Sequence, residues 1–230
     1  MKRLALLIAG GIGLVALGGL AGWRLHRPAA DARAYAVMRL IAIQVSLDEV
    51  PAAYVYYGGD SQVELHPGGQ EVCGLPLVNG GVSGSTAAAY ADHLAQLRFK
   101  THPRIAALTI GTNDILLKNK PRSAEPAARF EAAAESIVRR LQSLAPRVVV
   151  TALPPVGREL GTLVEAAAVA DYSQRLRGLC GRLGCVFTDP FADLRDGDTG
   201  YAKPGAMRDG LHLAAYRPAL KALEPALCGP

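Results

Sequence analysis

Several features of familiar protein classes are scarce or missing in this 230-residue sequence. Aromatic residues make up only 6% of it, which argues against the base-stacking platforms of nucleic-acid-binding proteins and against β-propellers. Gly occurs 25 times and Pro 15 times without a Gly-X-Y period, which excludes collagen. The net charge of +5 comes from scattered Lys and Arg residues, so we expect no nucleic-acid partner.

The four cysteines form no metal-binding pattern. They show no C-x-x-C pair and no His at zinc spacing, so we expect no metal site; they are Cys73, Cys180, Cys185 and Cys228. An even number of cysteines behind an export-like segment fits disulfides in an oxidising compartment. Cys180 and Cys185 are close enough in sequence to pair across a helix-to-strand turn, and buried free thiols are the alternative.

The hydrophobic residues, half of the sequence, are concentrated at the N-terminus. Residues 4–22 are uncharged and are followed by a basic stretch that begins with Trp23 and Arg24. About 20 apolar residues suffice to cross a bilayer as a helix, so we expect residues 1–23 to be an uncleaved signal-anchor or transmembrane segment. The alternative is the apolar region of a signal peptide, cleaved after Gly19-Leu20-Ala21.

The charges beside this segment leave its orientation open. Lys2 and Arg3 favour a cytoplasmic N-terminus, whereas Arg24, Arg27 and Arg33 favour keeping the other flank inside. From the export-like segment and the cysteines we expect a membrane-anchored protein with its main domain in the periplasm or outside the cell. Secretion after signal cleavage is the alternative.

Downstream of this segment, the pattern predicts a linker and leading helix over 24–51 and one domain over 52–230. In that domain short apolar segments alternate with helical patterns, which is typical of a parallel sheet covered on both faces. The predicted strands are 52–57, 76–79, 104–110, 147–151 and 185–187, and the predicted helices are 31–47, 86–98, 123–144, 162–183 and 214–227. Ligands of such sheets bind outside the carboxyl ends of the strands, where we therefore look for chemistry.

Four polar or Gly-rich blocks follow apolar segments and are expected at one rim of the sheet. They are Gly58-Gly59-Asp60-Ser61, Asn79 to Thr86, Gly111-Thr112-Asn113-Asp114 and Asp209-Gly210-Leu211-His212. Each block alone has a commoner structural explanation as a turn, a helix cap or a surface segment. In particular, we interpret Asp60 and Asp114 as caps or hydrogen-bond acceptors. His66, His93 and His102 are expected on the surface.

Together the blocks contain the groups that acyl transfer requires. Ser61 is a candidate nucleophile, His212 its base, and Asp209 the carboxylate that orients the imidazole. A tetrahedral oxyanion also needs preorganised donors. The backbone N–H groups of Ser61 and Gly84 and the side-chain amide of Asn113 are suitable for this oxyanion hole.

These blocks resemble those of the SGNH (GDSL-type) hydrolase family. Gly59-Asp60-Ser61 resembles its nucleophile block, and Asn79 to Thr86 its glycine block with Gly84 as the functional glycine. Gly111 to Asp114 and Asp209 to His212 resemble its third and fourth blocks. Gln62 stands where the family commonly has leucine, which is expected to alter the pocket rather than the mechanism.

The resemblance implies a three-layer α/β/α flavodoxin-like sandwich with a five-stranded parallel sheet, here preceded by an N-terminal hydrophobic helix. It also implies hydrolysis of esters through an acyl-enzyme on Ser61, with no metal and no cofactor. We expect a serine esterase that acts on acyl or acetyl esters of a small molecule, lipid or glycan. The alternatives are an acyltransferase that moves an O-acetyl group to a glycan, and a non-catalytic anchored binding module.

Overall fold

A six-stranded sheet organises the chain, in the order β2-β3-β1-β4-β5-β6. The computed structural model describes residues 32–197 and 199–229. The strands are β1 (Val55–Gly59), β2 (Glu71–Val72), β3 (Leu75–Gly81), β4 (Ile105–Thr109), β5 (Arg147–Thr151) and β6 (Val186–Thr188). The helices are α1 (Ala32–Glu49), α2 (Ser61–Glu64), α3 (Ala87–Gln96), α4 (Ala124–Gln142), α5 (Ala166–Leu183) and α6 (Tyr216–Cys228). Short 3₁₀ helices lie at Leu117–Asn119, Arg158–Leu160 and Ala192–Leu194.

The sheet is mixed, which differs from the wholly parallel five-stranded sheet expected from the sequence. β3, β1, β4, β5 and β6 pair in parallel, in the order of a doubly wound fold. β2 pairs with β3 in antiparallel orientation through a two-residue turn, Cys73-Gly74, in which both residues have positive φ. Such a turn matches the twist of a hairpin. β2 is only two residues long, too short to give an alternation pattern in the sequence.

Helices cover both faces of the sheet because its central strands are apolar on both sides. β1 and β4 are buried at every residue. The larger core cluster joins one face of the sheet to α1, α3, α4 and α5, and a second cluster joins the other face to α6. Alternate residues of one strand serve the two clusters, as with Tyr56 in the larger and Tyr57 in the second. This layering confirms the α/β class and directs the carboxyl ends of β1, β3 and β4 to one rim.

By its internal contacts the chain divides into two units, Met1–Tyr35 and Ala36–Pro230. Residues 36–49 of α1 therefore belong to the same compact unit as the sheet. The predicted membrane segment, 1–23, with its hydrophobic helix, lies outside the described residues, as does the linker up to residue 31. The predicted boundary at residue 52 stays a prediction. Within the described part of the chain, no helix combines the length and apolar character needed to cross a membrane.

His66 is buried, so its predicted surface position is wrong. It is 6% exposed, and its ring lies 5.3 Å from that of Tyr57 and 5.0 Å from that of Tyr216, measured between centroids. Burial lowers the pKa of His66 to about 4, so the imidazole is neutral near pH 7. The two rings come from β1 and α6, and spacing along the sequence does not show that these elements meet at His66.

Two disulfides link the described cysteines. The Cys180–Cys185 bond, predicted from its spacing, closes the end of α5, where Gly184 adopts a left-handed conformation with φ +74°. The Cys73–Cys228 bond spans 155 residues and joins the β2–β3 turn to the last residue of α6. The sequence pattern did not predict this second pair, because only the fold brings its two ends together.

Removal of the long-range disulfide should cost much more stability than removal of the short one. From loop-closure entropy we expect replacement of Cys73 and Cys228 by alanine to lower the free energy of unfolding by about 5 kcal/mol. The matched replacement of Cys180 and Cys185 should cost about 2 kcal/mol. Urea unfolding of both double variants measures this difference, and equal losses would contradict the loop-entropy explanation.

Candidate active site

Ser61 is the first residue of α2, and Asp60, which lies between β1 and this helix, caps it. The Asp60 carboxylate accepts hydrogen bonds from the Gln62 N–H at 2.9 Å and, with its other oxygen, from the Thr112 N–H at 3.1 Å. Just before it, a Cβ atom on Gly59 would collide with the backbone oxygen of Thr109 on β4, so only glycine fits there. Asp60 thus joins the ends of β1 and β4 and sets the position of Ser61.

The carboxyl groups of Asp60 and Asp114 act as the predicted caps and acceptors. Burial raises the pKa of Asp60 to about 6, against the opposing effect of its backbone N–H donors. Burial likewise raises the pKa of Asp114 to about 7. Asp114 accepts a hydrogen bond from the Ala87 N–H at 2.9 Å, at the start of α3. Both carboxyl groups therefore connect loops at the rim.

His212 lies between Ser61 and Asp209. Its Nε2 is 2.9 Å from Ser61 Oγ, and its Nδ1 is 2.8 Å from Asp209 Oδ2. The other Asp209 oxygen accepts the backbone N–H groups of Leu211 at 3.0 Å and His212 at 2.8 Å, so the carboxylate turns back onto its own loop. Burial acts to raise the pKa of Asp209, but the hydrogen bonds from His212 and Leu211 outweigh it and lower the pKa to about 2. Asp209 is therefore ionised near neutral pH.

Three donors lie at the ends of the neighbouring strands. Within the described residues, neither the Ser61 N–H nor the Gly84 N–H donates to a protein acceptor. Gly84 has φ +79°, and a Cβ atom built on it would meet nothing within 4 Å, so open space adjoins it. The Asn113 Nδ2 donates to the Ser85 oxygen at 3.0 Å, which orients the amide and leaves its second hydrogen available.

All five predicted site residues thus lie at the rim formed by the ends of β1, β3 and β4 and the loop before α6. Hydrogen bonds connect Ser61, His212 and Asp209 directly, and Asn113 contacts the residue after Gly84. A hydroxyl beside an imidazole that a carboxylate orients, with N–H donors nearby, is suited to nucleophilic acyl transfer. Among residues 32–197 and 199–229, no cluster of acidic, His or Cys side chains could hold a metal ion.

Gln62 has a role at the site that the sequence did not reveal. Its side chain is buried, and its Nε2 donates to the Leu211 oxygen at 2.7 Å, next to His212. Tyr216 donates to Gln62 Oε1 at 3.5 Å. Gln62 therefore links the helix that begins with Ser61 to the loop that holds His212. The polar side chain at a position where leucine is common was the available signal.

The chain is similar to a known family and to several solved structures. The sequence model of the GDSL-like lipase/acylhydrolase family matches residues 53–216, more than half of the chain. No curated protein matches the sequence significantly.

Several solved structures have a similar fold. A Streptococcus pneumonia protein provisionally described as a platelet activating factor is 22% identical, with a TM-score of 0.70, over 91% of this chain and 97% of that one. A GDSL-like lipase from Bacteroides thetaiotaomicron is 15% identical, with a TM-score of 0.59, over 86% and 95%. A catalytic mutant of an acetylxylan esterase from Geobacillus stearothermophilus is 15% identical, with a TM-score of 0.56, over 77% and 92%. At identities of 22% or less, these similarities show a shared fold and nothing beyond it.

Replacement of Asp209 by asparagine should reduce activity without unfolding the domain. An amide in this place presents an N–H group to His212 Nδ1 and favours the wrong tautomer, so we expect kcat to fall on the order of 10²- to 10⁴-fold. Ester hydrolysis and thermal unfolding of the variant measure the two effects. An unchanged kcat would contradict the orienting role of Asp209, and Asp171→Asn on the exposed surface of α5 is the control.

Proposed function

The chain belongs to the GDSL-like lipase/acylhydrolase family and is a carboxylic ester hydrolase, and we propose that it works through an acyl-enzyme on Ser61. The observation that carries this proposal is the continuous hydrogen-bonded chain from Ser61 Oγ through His212 to Asp209. A protein that only binds an ester has no need of a base and a carboxylate behind its serine.

In the proposed reaction, Ser61 Oγ attacks the carbonyl carbon of the ester while His212 Nε2 takes the hydroxyl proton. The negative oxygen of the tetrahedral intermediate is held by the N–H groups of Ser61 and Gly84 and by the Asn113 amide. The C–O bond to the alcohol then breaks, and His212 donates its proton to the leaving oxygen. Water then attacks the acyl-enzyme carbonyl while His212 Nε2 takes its proton. The bond to Ser61 Oγ breaks, His212 returns the proton to Ser61, and the carboxylic acid is released.

Asp209 supports both proton transfers without taking part in them. It is ionised because its pKa is about 2, and it stabilises the positive imidazolium that forms in each step. Gln62 holds the loop of His212 by its bond to Leu211, so the imidazole need not be ordered anew in each turnover.

Ser61→Ala should abolish covalent turnover and labelling by a fluorophosphonate probe. His212→Ala should be nearly as damaging, and the double variant little worse than either, because the two residues act as one unit.

Asn113→Ala, which removes one oxyanion donor, should lower kcat by about 10²- to 10³-fold. Near-normal ester hydrolysis by a folded Ser61→Ala protein would overturn the assignment.

We propose short acyl esters, acetyl esters of glycans among them, as the substrates. The His212 and Asp209 side chains are 23% and 52% exposed, so the site is open, whereas long acyl chains need an apolar cover. One neighbour of similar fold is an acetylxylan esterase.

In a series of nitrophenyl esters from acetate to dodecanoate, kcat/KM should therefore be highest for the two or three shortest. Added methanol should compete with water only in proportion to its concentration. An optimum at eight or more carbons would contradict the short-chain proposal. Strong preference for an added alcohol or glycan would point to acyl transfer instead of hydrolysis.

We further propose that residues 4–22 anchor the enzyme in a membrane, with the domain in the periplasm or outside the cell. The support is the uncharged run of these residues and the basic stretch after it. The full-length protein should remain in the membrane fraction after alkaline carbonate extraction, and its mature N-terminus should precede residue 4. A mature N-terminus at Gly22 would instead identify a cleaved signal.

A further inference from the structure

Helix α1 makes a polar contact with the end of β3, just before Gly84. The Arg39 guanidinium donates from Nε to the Gly81 oxygen at 2.8 Å. From Nη2 it donates to the Asn79 backbone oxygen at 2.8 Å and to Asn79 Oδ1 at 3.1 Å. A single side chain on α1 thus holds two carbonyl groups at the end of β3.

Glu64, the last residue of α2, extends this contact to the far side of the loop. Its Oε1 is 3.5 Å from Arg39 Nε, and its Oε2 accepts the Ser83 N–H at 2.6 Å. The two charged side chains are only 20% and 15% exposed, so solvent screens the pair less than it screens a surface ion pair. The Arg39 guanidinium therefore holds the end of β3, and the Glu64 carboxylate holds Ser83, the residue before Gly84.

Residues 79–83 lead directly into Gly84, and Arg39 and Glu64 contact this segment at its two ends. Gly80 and Gly81, the last residues of β3, pair with Gly58 and Gly59 of β1, and a Cβ atom on Gly81 would collide with the Glu64 backbone. Gly84 itself adjoins open space. The contact nearest to the Gly84 N–H group is therefore the one between Ser83 and Glu64, the carboxylate that Arg39 faces.

We propose that Arg39 is a positioning residue for the oxyanion hole, which it stabilises through Asn79, Gly81 and Glu64. The proposal rests on the function proposed above and extends it to a helix outside the family match of residues 53–216. Arg39 touches neither substrate nor reacting atoms in this scheme. Its effect is to keep the Gly84 N–H aimed at the developing negative charge, where a misplacement of about 1 Å can cost on the order of 10²-fold in rate.

The test compares Arg39→Met and Arg39→Lys with the full-length wild-type enzyme, each normalised to active sites titrated with a fluorophosphonate. For Arg39→Met we expect kcat to fall about 10- to 100-fold with KM changed little, because the lost contact matters in the transition state. Arg39→Lys, which keeps the charge but not the fork of donors, should lose less. A boronic acid that forms a tetrahedral adduct on Ser61 should bind more weakly by the same factor as the loss in kcat/KM.

Gln44→Ala is the matched control. Gln44 also links α1 to the domain. Its Nε2 donates to the Arg98 oxygen at 3.0 Å and its Oε1 accepts the Arg98 N–H at 2.9 Å, and these bonds do not involve residues 79–84. This variant should lose thermal stability as Arg39→Met does but keep its kcat and its affinity for the boronic acid. Equal losses of kcat in both would show that α1 acts only by general stabilisation and would overturn the proposal.

Hydrogen exchange of the Ser83 amide separates this proposal from the proposed function. Exchange should be faster in Arg39→Met than in wild type or Gln44→Ala, whatever reaction the enzyme catalyses. Unchanged exchange, or faster exchange with an unchanged kcat per active site, would overturn the role of Arg39. Failure of the proposed function would instead appear as ester hydrolysis by the Ser61→Ala variant. That result does not depend on the Arg39 variants, so the two failures can be told apart.

Discussion

The 2.9 Å hydrogen bond between Ser61 Oγ and His212 Nε2 joins two residues 151 positions apart, and much of the fold holds its two ends in place. Ser61 is held from one side by Asp60, which caps its helix and reaches the β4 loop through Thr112. His212 is held from the other by Asp209 and, through Leu211, by Gln62. Parallel strands bring these loops to one rim because their carboxyl ends point the same way. Burying polar groups at this rim costs free energy of folding. The carboxyl group of Asp60 shows this, because burial raises its pKa to about 6.

Sequence reasoning predicted what local patterns encode. The parallel strands and the five longer helices were found with boundaries within a few residues. The strands stood out because burial on both faces of a parallel sheet leaves apolar runs, as at residues 148–150 of β5. The polar blocks were found because their residue types are rare together at strand ends. The pairing of Cys180 with Cys185 was predicted because the two residues are only 5 positions apart, at the turn that follows α5.

The features that were missed depend on contacts between distant segments. Cys73 pairs with Cys228 only once α6 lies against the β2–β3 turn, and His66 is buried only once β1 and α6 meet around it. Arg39 is one of several charged residues on α1, and its partners lie 40 and 42 positions away. β2 is too short for any pattern. Each of these requires the tertiary structure, because no periodicity along the chain records which partner a side chain will find.

The bond between Cys73 and Cys228 closes a covalent ring that contains Gly84, Asn113, Asp209 and His212, while α1, β1 and Ser61 lie outside it. A single cut by a protease in any loop of the ring, such as the long connection between β6 and α6, would leave both fragments covalently joined. The nicked chain would still carry the base and two oxyanion donors on one molecule. A cut between Ser61 and Cys73, by contrast, would separate the nucleophile from its base. The exposed turn at Gly68-Gly69 is therefore the place where one broken peptide bond would do the most damage.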